Sequence, residues 1–173
     1  MNVLKQLFNI LSWPVYLCIA GYLLIAAPML AGYRPVVVLS GSMEPAFPVG
    51  SVIYYKAASF EQIQEGDPIT FHAGEAGSLV THRVVEKQEL SRDFITRGDA
   101  NETADPNPVS YDRVAGRASD VKIPYAGYFV TYGRTPQAIG VMGGILVIGI
   151  LLDFICRERD GRKRHKRLLE AEL

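Results

Sequence analysis

Histidine is scarce in this chain, cysteine is scarcer, and net charge is missing altogether. Only two cysteines occur, Cys18 and Cys156, each inside an apolar segment, so neither a disulfide framework nor a zinc site is on offer. Cys156 adjoins a basic run, as an acylated cysteine would, but the simpler reading is an apolar filler. Lysine plus arginine and aspartate plus glutamate both number 18 in 173 residues, which provides no bulk attraction for nucleic acid. Nothing in the sequence indicates a metal or an organic cofactor. It contains no internal repeat and no low-complexity segment.

Charge is also missing locally. Residues 7–33 hold none across 27 positions, and a helix needs about 20 apolar residues to cross a bilayer core. Pro14 and Pro28 sit near the two ends of this run, where breaking a helix costs least. Ala26, Ala27 and Ala31 would suit a cleavable secretory signal, but such a signal has an apolar core of only about 7–15 residues. An uncleaved anchor over residues 1–33 is therefore expected. Residues 135–152 form a second uncharged run of 18 positions, interrupted by Asp153 and extended by residues 154–156. Its glycines, Gly140, Gly143, Gly144 and Gly149, suit a membrane helix packed on another. Tyr125, Tyr128, Phe129 and Tyr132 precede it like an interfacial belt, and seven cations from Arg157 to Arg167 follow it. The positive-inside rule keeps that basic tail, residues 157–173, in the cytoplasm. Two spans, the second over residues 135–156, then put the domain between them outside.

That domain, residues 34–134, has a different texture. Short runs rich in β-branched and aromatic residues fall at 36–39, 51–55, 69–71, 79–85, 94–96 and 114–123. Turn signals separate them: Pro48-Val49-Gly50, Gly66-Asp67-Pro68, Ala73-Gly74, Gly98-Asp99 and Pro106-Asn107-Pro108. The pattern predicts a mainly β domain of about 100 residues flanked by two transmembrane α-helices, with a short helix over 60–65 after a Ser59 cap.

The chemistry-bearing residues cluster in three fragments. Ser40-Gly41-Ser42-Met43-Glu44-Pro45 offers hydroxyls in a turn closed by proline. A serine hydroxyl is a weak nucleophile and needs a general base within hydrogen-bond reach. Of the three histidines, His165 lies in the cytoplasmic tail and His72 ends a strand beside a turn. His82 lies in Val80-Thr81-His82-Arg83-Val84, where period-two alternation puts it on the apolar face with Val80 and Val84. A base also needs an acid to fix its tautomer. Asp99 and Asp105, six residues apart in one loop, are both candidates. Each fragment alone also reads as an ordinary turn or core position.

Taken in order, the fragments resemble type I signal peptidases of the Ser-His-Asp branch, found in archaea, the endoplasmic reticulum and some Gram-positive bacteria. Ser-Gly-Ser-Met-Glu-Pro is similar to that family's nucleophile box, which implies Ser42 as nucleophile. Gly66-Asp67-Pro68-Ile69-Thr70-Phe71 resembles its Gly-Asp-apolar strand, with Pro68 in place of the usual aliphatic residue. Thr81-His82-Arg83-Val84-Val85 resembles the box of the general base, and Gly98-Asp99-Ala100-Asn101 the last box. The resemblance implies Asp105 as the orienting acid, with Asp99 supporting the loop or substituting. It extends to Ile123-Pro124-Tyr125-Ala126-Gly127-Tyr128 and covers roughly residues 10–155.

The activity implied is serine endopeptidase cleavage of signal peptides from secreted precursors, and the basic cytoplasmic tail favours a multi-pass protein of the cell membrane over one of the endoplasmic reticulum. The Ser42 backbone N–H and the Ser40 hydroxyl are the implied oxyanion donors. Signal-peptide-bearing precursors and the lipid bilayer are the implied partners, and translocon or accessory subunits stay open. Nine residues separate Tyr33 from Ser42, a reach of at most about 30 Å, so the nucleophile lies close to the membrane surface. Two rival readings remain: a non-catalytic membrane-tethered β module that scaffolds secretion or matrix assembly, and a Ser-Lys protease using Lys56. The sequon Asn101-Glu102-Thr103 falls in the loop of the acid, where a glycan would obstruct substrate, and is read as unused.

Overall fold

The computed structural model describes residues 2–74, 77–151 and 154. The basic tail, His165 and Cys156 lie outside the described residues. The chain divides into two compact units, Leu24–Tyr132 and a second one made of Met1–Leu23 with Gly133–Leu173.

Seven strands build the larger unit: β1 (Arg34–Val37), β2 (Val52–Lys56), β3 (Pro68–Ala73), β4 (Ser78–Gln88), β5 (Asp93–Arg97), β6 (Val109–Ser110) and β7 (Val114–Ile123). They form one antiparallel sheet in the order β1-β2-β7-β3-β4-β5-β6. The mainly β expectation is met, and each apolar run of the sequence falls on a strand. The short helix expected at 60–65 is a single 3-10 turn, Phe60–Gln62, whose start is held by the Gln62 side chain accepting the Ser59 N–H at 2.9 Å.

Alternation along the strands gathers two apolar clusters. One contains Phe60, Ile63, Ile69, Phe71, Val84, Phe94 and Val109. The other contains Met43, Phe47, Ile53, Tyr55 and Ala118. Burial of a side chain such as Phe94, fully enclosed here, is worth about 1.5–3 kcal/mol. The second cluster positions the serine turn, because Met43 and Phe47 lie on either side of Glu44-Pro45 and both are buried. Gly50 closes the following turn at φ +79, and a Cβ there would fall inside the Tyr128 ring. That ring belongs to α2 (Ala126–Gly133), a helix at the end of a stretch the sequence reads as β.

Helix α1 (Asn2–Ala26) runs into a 3-10 turn, Ala27–Ala31, which ends at Gly32 in the left-handed conformation. Within this segment the 20 residues Ser12–Ala31 are long and apolar enough to cross a membrane. Pro14 lies inside α1, and Pro28 lies in the 3-10 turn. The later apolar stretch, α3 (Pro136–Leu151), passes the same test only when joined with α2 across a break.

Candidate active site

Ser42 is the middle residue of a 3-10 turn, Gly41–Met43, that follows β1. Such a turn leaves its first N–H groups without intrahelical partners. The Ser42 N–H is thus available as a donor, and the Ser40 hydroxyl lies 3.4 Å from the Ser42 hydroxyl.

His82 sits near the middle of β4, opposite Ile69 of β3. Its Nε2 is 3.2 Å from Ser42 Oγ, and its Nδ1 is 2.6 Å from Asp105 Oδ2. An ionised carboxylate can only accept, so Nδ1 carries the proton and Nε2 is left to accept from the serine. The imidazole is 12 % exposed and the Asp105 side chain 21 %. The Phe71 ring meets the imidazole edge-on, with centroids 6.3 Å apart, which restricts its rotation. Ser42, His82 and Asp105 therefore form one hydrogen-bonded line.

The two candidate acids separate cleanly. Arg83 takes both oxygens of Asp99, Nε to Oδ1 at 2.7 Å and Nη2 to Oδ2 at 2.5 Å, and donates Nη1 to Gly66 O at 2.8 Å. The hydrogen bonds Arg83 donates to Asp99 raise the Arg83 pKa above its ordinary value, against the opposing effect of burial. Asp99 is thus committed to the side chain that follows His82, on the opposite face of β4. Its loop also reaches the nucleophile: the Ala100 N–H donates to Ser42 O at 2.9 Å. A Cβ on Gly98 would lie 2.5 Å from that same Ser42 oxygen. Gly98→Ala is therefore expected to push the loop off the serine turn, at about 1–3 kcal/mol of overpacking. Thermal unfolding and cleavage assays on the same preparation should both register it.

Thr96 was not legible as a site residue. Fully buried on β5, it donates its hydroxyl to Asp105 Oδ2 at 2.6 Å, and its carbonyl accepts the Asp105 N–H at 2.8 Å. The oxygen that faces His82 is thereby fixed from behind. Hydrogen bonds to charged groups contribute about 1.5–3 kcal/mol, so Thr96→Val is expected to lower kcat about tenfold or more. Thr96→Ser should restore most of it, with KM little changed.

The remaining candidates stand apart from this line. His72 is exposed, its Nδ1 lying 3.0 Å from Gly77 O. Lys56 is exposed at the end of β2, with its ammonium 5.3 Å from the Tyr33 ring centroid. Beside Ser42 opens a cleft of about 110 Å³ with a mixed lining, walled by residues 36–39 together with Leu79, Val80 and Thr81. Met43, Phe47 and Ile53 line it further. A second cleft of about 260 Å³, mostly apolar, opens beside His82 and Asp105.

An acid, an imidazole and a hydroxyl in line on an antiparallel β domain is the arrangement that serine hydrolases use. Over 100 residues the chain is 42% identical to signal peptidase I W of Bacillus subtilis (strain 168), across 56% of this chain and 52% of that protein. Over 102 residues it is 35% identical to the signal peptidase complex catalytic subunit SEC11C of Homo sapiens, across 53% of each. Over 127 residues it is 28% identical to the signal peptidase complex catalytic subunit SEC11 of Colletotrichum graminicola, across 65% of this chain and 74% of that one. The chain spans about half the length of the first two relatives. No protein-family model matches it. These likenesses bear out the resemblance to type I signal peptidases of the kind shared by Gram-positive bacteria and the SEC11 subunits.

Proposed function

We propose that this chain is a membrane-anchored serine endopeptidase that removes signal peptides from precursor proteins. The observation that carries the reading is the line Ser42 Oγ–His82 Nε2, His82 Nδ1–Asp105 Oδ2, at 3.2 and 2.6 Å. A scaffold has no use for an imidazole engaged on both nitrogens beside an apolar cleft. In this mechanism His82 takes the Ser42 proton as the hydroxyl attacks the scissile carbonyl, then returns it to the leaving amine. Asp105 holds the tautomer and stabilises the imidazolium. The Ser42 N–H and the Ser40 hydroxyl receive the oxyanion, and losing one such donor typically costs about 3 kcal/mol of transition-state stabilisation.

The anchor suits the substrate. Met29, Leu30 and Leu39 are exposed between the end of the apolar helix and the serine turn, so this approach to the site is itself apolar. A signal peptide keeps its apolar core in the bilayer, and its cleavage point emerges at a matching depth. The proposal includes a second span over residues 135–156, a basic cytoplasmic tail, the β domain outside the cytoplasm and the cell membrane as location. The apolar composition of α3 and the cations that follow it in sequence support this topology. The SEC11 relatives are by name subunits of a complex, and accessory or translocon subunits are further partners within this proposal.

The test compares membranes containing the wild-type chain or Ser42→Ala at matched expression, offered a precursor with a signal peptide. Only the wild type should cut, and N-terminal sequencing of the product should find the signal junction. Equal cutting by both would hand the activity to another protein and favour the scaffold.

A further inference from the structure

The sheet carries a second polar site that the hydrolase mechanism does not use. Lys56 of β2 lies directly opposite Arg117 of β7 in the antiparallel ladder, so two cations share one face of the sheet. Like charges directly opposite one another destabilise a ladder. Asp67 answers one of them, 3.3 Å from Arg117. Lys56 has no acidic partner among the described residues and rests instead over Tyr33. Two positions along β7 from Arg117, where the register against β2 shifts, the Ser119 hydroxyl is buried without a hydrogen-bond partner, a rare state for a buried polar atom. Tyr33, Lys56, Gln62, Arg117 and Ser119 line one cleft of about 400 Å³.

The position of the cleft narrows the ligand. Tyr54, two residues before Lys56 and on its face of β2, donates its hydroxyl to the carbonyl of Ile25 at 2.9 Å. Ile25 belongs to the apolar stretch Ser12–Ala31. A Cβ on Gly32, one residue beyond that stretch, would touch Lys56 Cε at 3.5 Å. The cationic cleft therefore opens where the apolar segment ends. We propose that it binds the phosphate of an anionic phospholipid headgroup, with Lys56 as point charge and Arg117 as planar donor. A zwitterionic choline headgroup brings a cation of its own next to Lys56 and Arg117 and is disfavoured. The assignment rests on reading Ser12–Ala31 as a membrane span. It is independent of the peptidase reading.

The full chain, purified in neutral detergent, is offered phosphatidylglycerol and phosphatidylcholine of matched acyl chains, and bound lipid is counted by native mass spectrometry. The wild type should retain one phosphatidylglycerol in preference to phosphatidylcholine. Lys56→Gln should weaken that retention about fivefold, the loss expected for one cation near an anionic surface. Lys56→Arg should keep it, and so should Arg34→Gln, whose cation lies outside the cleft. An unchanged thermal midpoint in lipid-free detergent verifies that Lys56→Gln is folded. Equal retention of the two lipids, or equal weakening by Lys56→Gln and Arg34→Gln, overturns the headgroup site. Displacement of the lipid by an equal concentration of glycerol phosphate overturns the lipid as its source. Alkaline washing of membranes separates the two readings. A chain released by the wash overturns the span, and the headgroup site with it; a chain that stays but shows no lipid preference overturns the headgroup site alone.

Discussion

Ser42→Ala and His82→Ala are each expected to lower kcat for precursor cleavage about a millionfold, and the double variant is expected to lose no more. The expectation follows from the proposal that the two side chains act as one unit. Without the imidazole at 3.2 Å, the Ser42 hydroxyl keeps its proton and attacks poorly. Without the hydroxyl, the imidazole has nothing to deprotonate but water. Residual cleavage then comes from the oxyanion donors and substrate positioning alone, at about 10³–10⁴-fold over water. Single-turnover cleavage of a purified precursor in detergent, with enzyme in excess, measures this over the needed range. Losses that multiply in the double variant would mean that the two residues act separately, and the line from Ser42 to Asp105 would lose its mechanistic meaning.

The second large effect falls on the acid. Asp105→Ala is expected to cost about 3 × 10⁴ in kcat, whereas Asp105→Asn should cost distinctly less. In the native site one oxygen, Oδ2, accepts from both His82 Nδ1 and the Thr96 hydroxyl. The asparagine carbonyl can occupy that position and accept both, so the tautomer survives and only the carboxylate's stabilisation of the imidazolium is lost. Alanine removes both. Asp99→Asn is expected to behave differently, leaving kcat within about tenfold of wild type and lowering stability by about 1 kcal/mol, because the partly exposed Arg83 loses a charged partner. Steady-state kinetics and thermal unfolding on the same three variants separate these outcomes. If Asp99→Asn were the more damaging to kcat, Asp99 would become the orienting acid.

The sequence located its strands well because runs such as Leu79-Val80-Thr81-His82 alternate, and because Gly66-Asp67 and Gly98-Asp99 punctuate them. The two-residue β6 was missed, since Val109-Ser110 is too short to show a period and follows two prolines. Helix α2 was missed because its aromatic residues read equally well as an interfacial belt. The choice between Asp99 and Asp105 could not be made from one loop; it depends on Arg83, which takes Asp99 on the other face of β4. Thr96 carried no signal, as threonine is an ordinary strand residue. The opposition of Lys56 and Arg117 follows from β2 pairing with β7, a long-range ladder that no local pattern announces.

Strand order has a further consequence. Ser42 follows β1, in the half of the sheet made by β1 and β2, while His82 and Asp105 belong to the half that begins at β3. The strand that joins the halves is β7, the last in sequence of the seven described, inserted between β2 and β3. A nascent chain that has not yet delivered Val114–Ile123 holds its serine and its histidine on two fragments with no common ladder. The hydroxyl and the imidazole therefore come into register only once Val114–Ile123 has been inserted between β2 and β3.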